Sequence, residues 1–297
     1  MEQNHSHAVS GKNIGITVML NIIITIAQVV GGMISGSVAL LSDALHNFSD
    51  VISLLLSYFT NRLSKRKSTI KQTYGFKRGE ILSAFINSVT LIAIALFLIV
   101  EAVERYLNPE PVKADLVIYF ALGSIVFNFI SVLLLHKDAK DSMNIKSAYL
   151  HLLTDVMTSV AVMIGGILMK YFEIYRIDSI LSVVIAAYLI FSSYKLLLAS
   201  MKILMQFTPA DVDVTDICIQ IGSFIEIKNI HHVHLWQLND KDLFFEAHID
   251  LKKNISISEF QDVLIKIEDI LNKHKIYHFN IQPEYSREDN KNLIIQH

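Results

Sequence analysis

The stretch SVALLSDALHNFSDVISLLLSYF, residues 37–59, reads as a helix made for lipid everywhere except its middle, where Asp43, His46 and Asp50 interrupt it. An ionised side chain near the centre of a bilayer costs about 2.5–3.5 kcal/mol even on a lenient insertion scale, so such residues persist only where they face a cavity, a partner or an ion. His46 and Asp50 are four residues apart and therefore share one face of a helix.

The whole chain supports the membrane reading. Of 297 residues, 52% are hydrophobic and 18% charged, and the mean hydropathy is +0.43, on the apolar side of ordinary soluble domains. A formal net charge of -2 gives no reason to expect nucleic acid as a partner. Cys218 stands alone, which excludes an intramolecular disulfide framework and a multi-thiolate metal site and leaves a small buried hydrophobe.

Six apolar runs are long enough to span as helices, near residues 14–35, 39–60, 80–103, 115–136, 146–170 and 179–201. None has the features of a cleaved signal. Lys and Arg concentrate in two loops, Arg62, Lys65, Arg66, Lys67, Lys71, Lys77 and Arg78 after the second run and Lys137, Lys140 and Lys146 after the fourth. Positively charged loops stay in the cytoplasm, which predicts a multi-pass protein of the plasma or inner membrane with both termini cytoplasmic.

Beyond residue 205 the composition changes. TPADVDVT (208–215) suits a linker into a helix at roughly 213–224, and IHHVHLWQL (230–238) and LFFEAHIDL (243–251) read as strands. The second alternates Phe245, Ala247 and Ile249 with Glu246, His248 and Asp250. A helix follows with Phe260, Val263, Ile267 and Ile270 on one stripe, then a strand in HFNIQPEY. The expected organisation is a cytoplasmic tail over 1–13, six membrane helices within 14–205, a linker over 206–212, a small αββαβ domain over 213–286 and a tail over 287–297.

The fifth run repeats the pattern of the second, with His151 and Asp155 again spaced H-x-x-x-D. Runs two and five cross in opposite directions, so facing each other they place His46 level with Asp155 and Asp50 level with His151. Two neutral imidazoles and two carboxylates balance a divalent cation; tetrahedral N/O ligation suits Zn²⁺, admits Co²⁺ and disfavours Mg²⁺ and Ca²⁺. Asp43, one heptad before Asp50, suits an outer acceptor or a vestibule charge better than a fifth ligand. Asn21, Gln28, Asn87 and Asn128 line a cavity or bond between helices, and glycines in runs one and five serve either close packing or bending.

The motifs ALLSDALHNFSD (39–50), YGFKRGEILSAFIN (74–87), NIKSAYLHLLTDV (144–156) and HHVHLWQL (231–238) resemble those of the cation diffusion facilitator family, the Zn²⁺/H⁺ antiporters, over nearly the whole chain. The resemblance implies six membrane helices, a ferredoxin-like αββαβ cytoplasmic domain, a homodimer, and secondary transport of Zn²⁺, with Co²⁺ or Cd²⁺ as further substrates, in exchange for protons. The family's transport site maps onto His46, Asp50, His151 and Asp155, and a His at position 46 implies a preference for zinc. A further metal site that some members carry between helices two and three has no histidine here, in STIKQTYGF (68–76), and is expected to be absent. Within the cytoplasmic domain the resemblance implies metal ligands at His231 and His248, with His232, His234, His278, Gln282 and Glu284 as further candidates. His5 and His7 are weaker candidates for scavenging zinc.

Two other classes fit less well. An intramembrane metallohydrolase needs a base-bearing motif such as H-E-x-x-H, and neither H-x-x-x-D pair contains a Glu. A zinc receptor would use the cytoplasmic histidines and leave the four intramembrane residues without a role.

Overall fold

A computed structural model describes residues 11–64, 67–136 and 143–294. His5, His7, Lys65, Arg66, Lys137 and Lys140 lie outside them. The elements run α1 (Gly11–Ser35), α2 (Val38–Ser64), α3 (Gly79–Leu107), α4 (Ala114–Leu135), α5 (Met143–Phe172), α6 (Arg176–Leu204), α7 (Val214–Gly222), β1 (Ile227–Gln237), β2 (Leu243–Leu251), α8 (Ile257–Lys273) and β3 (His278–Glu284). The described residues form two compact units: one holds those up to Phe59 together with Ile86–Leu197, and the other holds Thr60–Phe85 and those from Leu198 onward.

In the first unit, α1 and α3 to α6 are long and apolar enough to cross a membrane. α2 matches them in length and carries Ser42, Asp43, His46, Asn47, Ser49 and Asp50. α4 shows the packing logic. Ala114, Val117, Ala121, Ser124, Asn128 and Ser131 are buried, while Tyr119, Leu122, Val126, Phe129 and Leu133 are exposed. Small and polar groups face the neighbouring helices and bulky apolar ones face outward, the reverse of a soluble helix. The protein is thus a multi-pass membrane protein with helices that meet through small residues.

The opening stretch owes its helix to a local stop and start. Gly36 has φ +75 and its N–H donates to Gly32 O at 3.0 Å, ending α1 in a conformation that glycine tolerates without strain. Ser37 Oγ then accepts from Leu40 N at 3.0 Å, and Asp178, at the start of α6, accepts from Val38 N at 2.7 Å and Ala39 N at 3.3 Å. A carboxylate set against free N–H groups stabilises the positive end of α2 and fixes where the helix begins.

In the second unit the expected αββαβ order is present, with the sheet ordered β1-β2-β3, β1 antiparallel and β3 parallel to β2. Its core gathers Ile217, Ile221, Leu235, Phe245, Ala247, Ile249, Val263, Ile267 and Leu271. Asp213 caps α7, and Ser256 with Glu259 forms a capping box on α8. Phe260, Val263, Ile267 and Ile270 are buried as their spacing predicts. Beyond 286, Asn292 O and Leu293 O accept from His232 N at 3.2 Å and Val233 N at 2.9 Å along the edge strand β1. The α2–α3 connection also packs within this unit: Lys77 Nζ lies 2.7 Å from Asp242 Oδ2, and the Tyr74 ring meets Phe244 edge-on at 5.4 Å.

Candidate metal centre

α2 and α5 bring their H-x-x-x-D pairs together. His46 Nε2 stands 3.2 Å from Asp155 Oδ1, and His151 Nε2 stands 3.0 Å from Asp50 Oδ2. Within each helix the pairs are wider, 3.9 Å for His46 Nε2 to Asp50 Oδ2 and 3.9 Å for His151 Nε2 to Asp155 Oδ2. One ligand atom from each of the four residues lies within 4.8 Å of all the others. Ligands about 2.0–2.1 Å from a tetrahedral zinc stand about 3.4 Å apart, inside the spread of these contacts.

Orphaned polar atoms separate a metal cradle from a hydrogen-bonded clamp. His46 Nε2, Asp50 Oδ2 and both Asp155 carboxylate oxygens are buried, yet none makes a hydrogen bond despite the short separations. One ligand atom of each residue lies within reach of a common point. Leaving several buried acceptors unsatisfied is costly, about 1–3 kcal/mol each, and a cation at their focus would satisfy them together.

Burial is uneven across the four. The side chains of His46 and Asp155 are 8% and 0% exposed, whereas those of Asp50 and His151 are 24% and 40% exposed. The exposed pair is the one nearer the C-terminus of α2 and the N-terminus of α5, so the centre opens toward the end of the unit where α2 leaves and α5 enters.

Asp43 does not join the four. Its Oδ2 accepts from Gln28 Nε2 at 2.6 Å and Ser159 Oγ at 3.0 Å. Ser159 reaches Ser124 at 2.8 Å, Asn128 donates to Ser124 at 3.3 Å, and Asn47 donates to Gln28 at 2.7 Å. Gln28 bonds between helices, to Asp43 and Asn47 of α2, whereas the Asn128 bond to Ser124 lies within α4. This fully buried chain ties α1, α2, α4 and α5 around the centre. Serines at 124 and 159 carry no sequence signal that would have revealed their part in it.

The second unit contains another cluster. His231 and His248 are Cα partners across β1 and β2. His231 Nε2 lies 3.3 Å from Glu284 Oε2, and His248 Nδ1 lies 3.0 Å from Glu284 Oε1. With Asp289 these residues form a four-membered group close enough to hold a metal. His232 sits at a β-bulge with φ +53, and its ring lies 4.5 Å from that of His248 and 5.1 Å from that of His234. Gln282 donates to Glu284 Oε1 at 3.0 Å. His278 is elsewhere, its ring 4.3 Å from that of Phe244.

Three acidic or basic members escaped sequence reasoning. Asp250 is 5% exposed instead of facing solvent as strand alternation suggests, and Lys291 Nζ bonds to it at 3.0 Å. Asp289 and Lys291 come from an aperiodic segment with no motif. Burial pushes the Glu284 carboxyl up, but the hydrogen bond and charge of Lys291 outweigh it and hold the group below its ordinary range. Desolvation likewise disfavours the Lys291 ammonium, and Asp289, Glu284 and Asp250 together raise its pKa above the ordinary value.

Helices that bury polar groups against one another around four convergent metal-ligating side chains define a polytopic membrane protein of the metal-handling class. Residues 14–205 match the cation efflux transmembrane domain and residues 209–286 the cation efflux protein cytoplasmic domain, so the chain belongs to the cation efflux, or cation diffusion facilitator, family of metal cation transporters. It is 34% identical over 300 residues to the cadmium, cobalt and zinc/H(+)-K(+) antiporter of Bacillus velezensis, spanning 99% of this chain and 96% of that protein. The zinc transporter ZitB of Pectobacterium atrosepticum is 34% identical over 97% of this chain and 91% of its own length. The metal cation efflux system protein CzcD of Cupriavidus metallidurans is 30% identical over 96% of this chain and 90% of its own.

Proposed function

We propose that the protein exports Zn²⁺ from the cytoplasm in exchange for protons, with His46, Asp50, His151 and Asp155 as the transport ligands. The observation that carries this reading is the convergence of four ligand atoms within 4.8 Å, several of them buried without a hydrogen-bond partner. The names of the Bacillus velezensis and Pectobacterium atrosepticum relatives both include zinc, and that of the Bacillus velezensis antiporter adds H(+)-K(+) coupling. Co²⁺ and Cd²⁺ are further substrates on the same grounds.

Coupling follows from the ligands themselves. A metal needs each imidazole neutral and each carboxylate ionised, so proton and zinc occupancy exclude one another. Acid therefore favours the proton-occupied site and alkali the zinc-occupied one. In the metal-free protein a protonated His46 pairs with Asp155 and a protonated His151 with Asp50, the two closest contacts of the site. Zinc entering from the open side displaces those protons, and protons entering from the opposite side displace zinc.

In this reading α2 crosses the bilayer as a sixth span, since its polar residues face the site and the Asp43 network. The basic α2–α3 loop is cytoplasmic, which makes the open end of the site the cytoplasmic one and places both termini inside an inner or plasma membrane. The domain over 213–286 is ferredoxin-like, holds a second zinc at His231, His248 and Glu284, with His232, His234 and Gln282 around it, and joins two copies into a homodimer.

Zinc uptake into inverted vesicles under an imposed pH gradient tests the transport reading. His151→Ala and Asp155→Ala should each reduce uptake at least about tenfold, the usual consequence of losing one metal ligand. Normal uptake by both variants would overturn it.

A further inference from the structure

The cytoplasmic cluster already holds a cation, and that cation belongs to the protein. Lys291 Nζ lies 2.9 Å from Glu284 Oε2, 3.0 Å from Asp250 Oδ1 and 3.4 Å from His231 Nε2, and it also pairs with Asp289 Oδ1. Arg287 adds a second positive group, 3.0 Å from Glu284 Oε1 and 3.5 Å from Asp289 Oδ2. An ammonium can only donate, so its 3.4 Å contact calls on the lone pair of His231 Nε2, the same lone pair a metal requires. Nδ1 is buried without a hydrogen-bond partner in a residue that is fully buried.

The backbone that carries Lys291 is held by few bonds. Asn292 O and Leu293 O accept from His232 N and Val233 N at 3.2 and 2.9 Å, and Lys291 O accepts from Asn229 Nδ2 at 3.3 Å. All three contacts fall on β1, the edge strand of the sheet, beside the bulge at His231 to His234. Among the described residues the segment is a short strip on a sheet edge, held also by Leu293, which packs against the domain core, and by the Lys291 ammonium.

We propose that this strip is a latch in which Lys291 occupies the place of the metal, so that zinc binding to His231, His248 and Glu284 expels Lys291 and frees residues 291–293 from β1. The proposal rests on the reading of this cluster as a zinc site. Glu284 Oε2 and His231 Nε2 are shared by both cations, and a dication bound to them at about 2.0–2.2 Å leaves no room for an ammonium within 3 Å of the same oxygen without strong repulsion. Asp289 sits between the two states. It neutralises Lys291 when the latch is closed and is near enough to cap the metal when it opens. The consequence is a zinc affinity set below what the ligands alone would provide, with release of the C-terminal strip as the reported signal.

The test uses the full-length protein in detergent with His46→Ala and Asp155→Ala, which removes the membrane site from the titration. Zinc is titrated calorimetrically, and hydrogen exchange is followed over residues 230–236. Zinc should accelerate exchange at the His232 and Val233 amides, and Lys291→Gln should bind zinc at least about tenfold more tightly while Lys291→Arg should not, because the charged competitor is gone only in the first. Equal affinities for Lys291 and Lys291→Gln, or amide protection that zinc leaves unchanged, would overturn the latch while leaving the zinc site standing. Should no zinc bind in either background, the cluster is not a metal site and both readings fall. The exchange measurement on the Lys291-containing protein keeps the proposal testable if Lys291→Gln does not fold.

Discussion

Cys218 is the one cysteine of the chain and lies in the core of the second unit, 5% exposed. Burial pushes its thiol up to about 11 from an ordinary 9.0. The folded protein favours the neutral thiol, so this group's contribution to stability is complete below pH 9.0 and is lost as pH rises toward about 11. Because only the thiolate attacks, alkylation by N-ethylmaleimide at pH 8 should be at least about tenfold slower in the native protein than in urea. Equal rates would show that this core opens readily. At the same scale the cluster of His46, Asp50, His151 and Asp155 was legible in the sequence, because i, i+4 spacing and the high cost of charge in lipid both act over a single helical turn. Asp43 was legible as an outer acceptor or vestibule charge, but not its partners Gln28 and Ser159, which come from other helices.

Helix contacts were partly legible at the scale of elements. The glycines of α1 and α5 left close packing and bending both open, and the structure favours packing: a Cβ on Gly31 would run into the Phe120 ring of α4, and one on Gly32 would lie 3.1 Å from the Leu41 backbone of α2. Gly31→Ala should therefore lower thermal stability in detergent by about 1–3 kcal/mol, the usual cost of overpacking. Adding Phe120→Ala should recover much of that loss if the clash is the cause. A Gly31→Ala protein that melts normally would show that α1 and α4 separate freely. α2 itself was expected as an apolar span, and its length agrees.

At the scale of the molecule, the α2–α3 connection belongs to the second unit, where Lys77 holds the Asp242 carboxyl below its ordinary range. Basic residues read as topological signals thus also serve as packing partners; an exposed pair of this kind contributes only about 0–1 kcal/mol. Orientation is the property with most bearing on transport direction. A green fluorescent protein fused after His297 should fluoresce and an alkaline phosphatase fused there should be inactive, because both report a cytoplasmic C-terminus. The opposite pair of results would reverse the assignment of the open end of the site.

Sequence alone determined the membrane class, the helix pattern, the αββαβ order and the four residues at the centre of the first unit. Each of these depends on periodicity and on transfer energies that act locally along the chain. Tertiary structure alone decided that Asp43 bonds outward to α1 and α5, that Asp250 is buried, and that Asp289 and Lys291 close the second cluster. Those facts depend on which distant segments meet, and a charged residue in an aperiodic stretch carries no mark of the partner it will find.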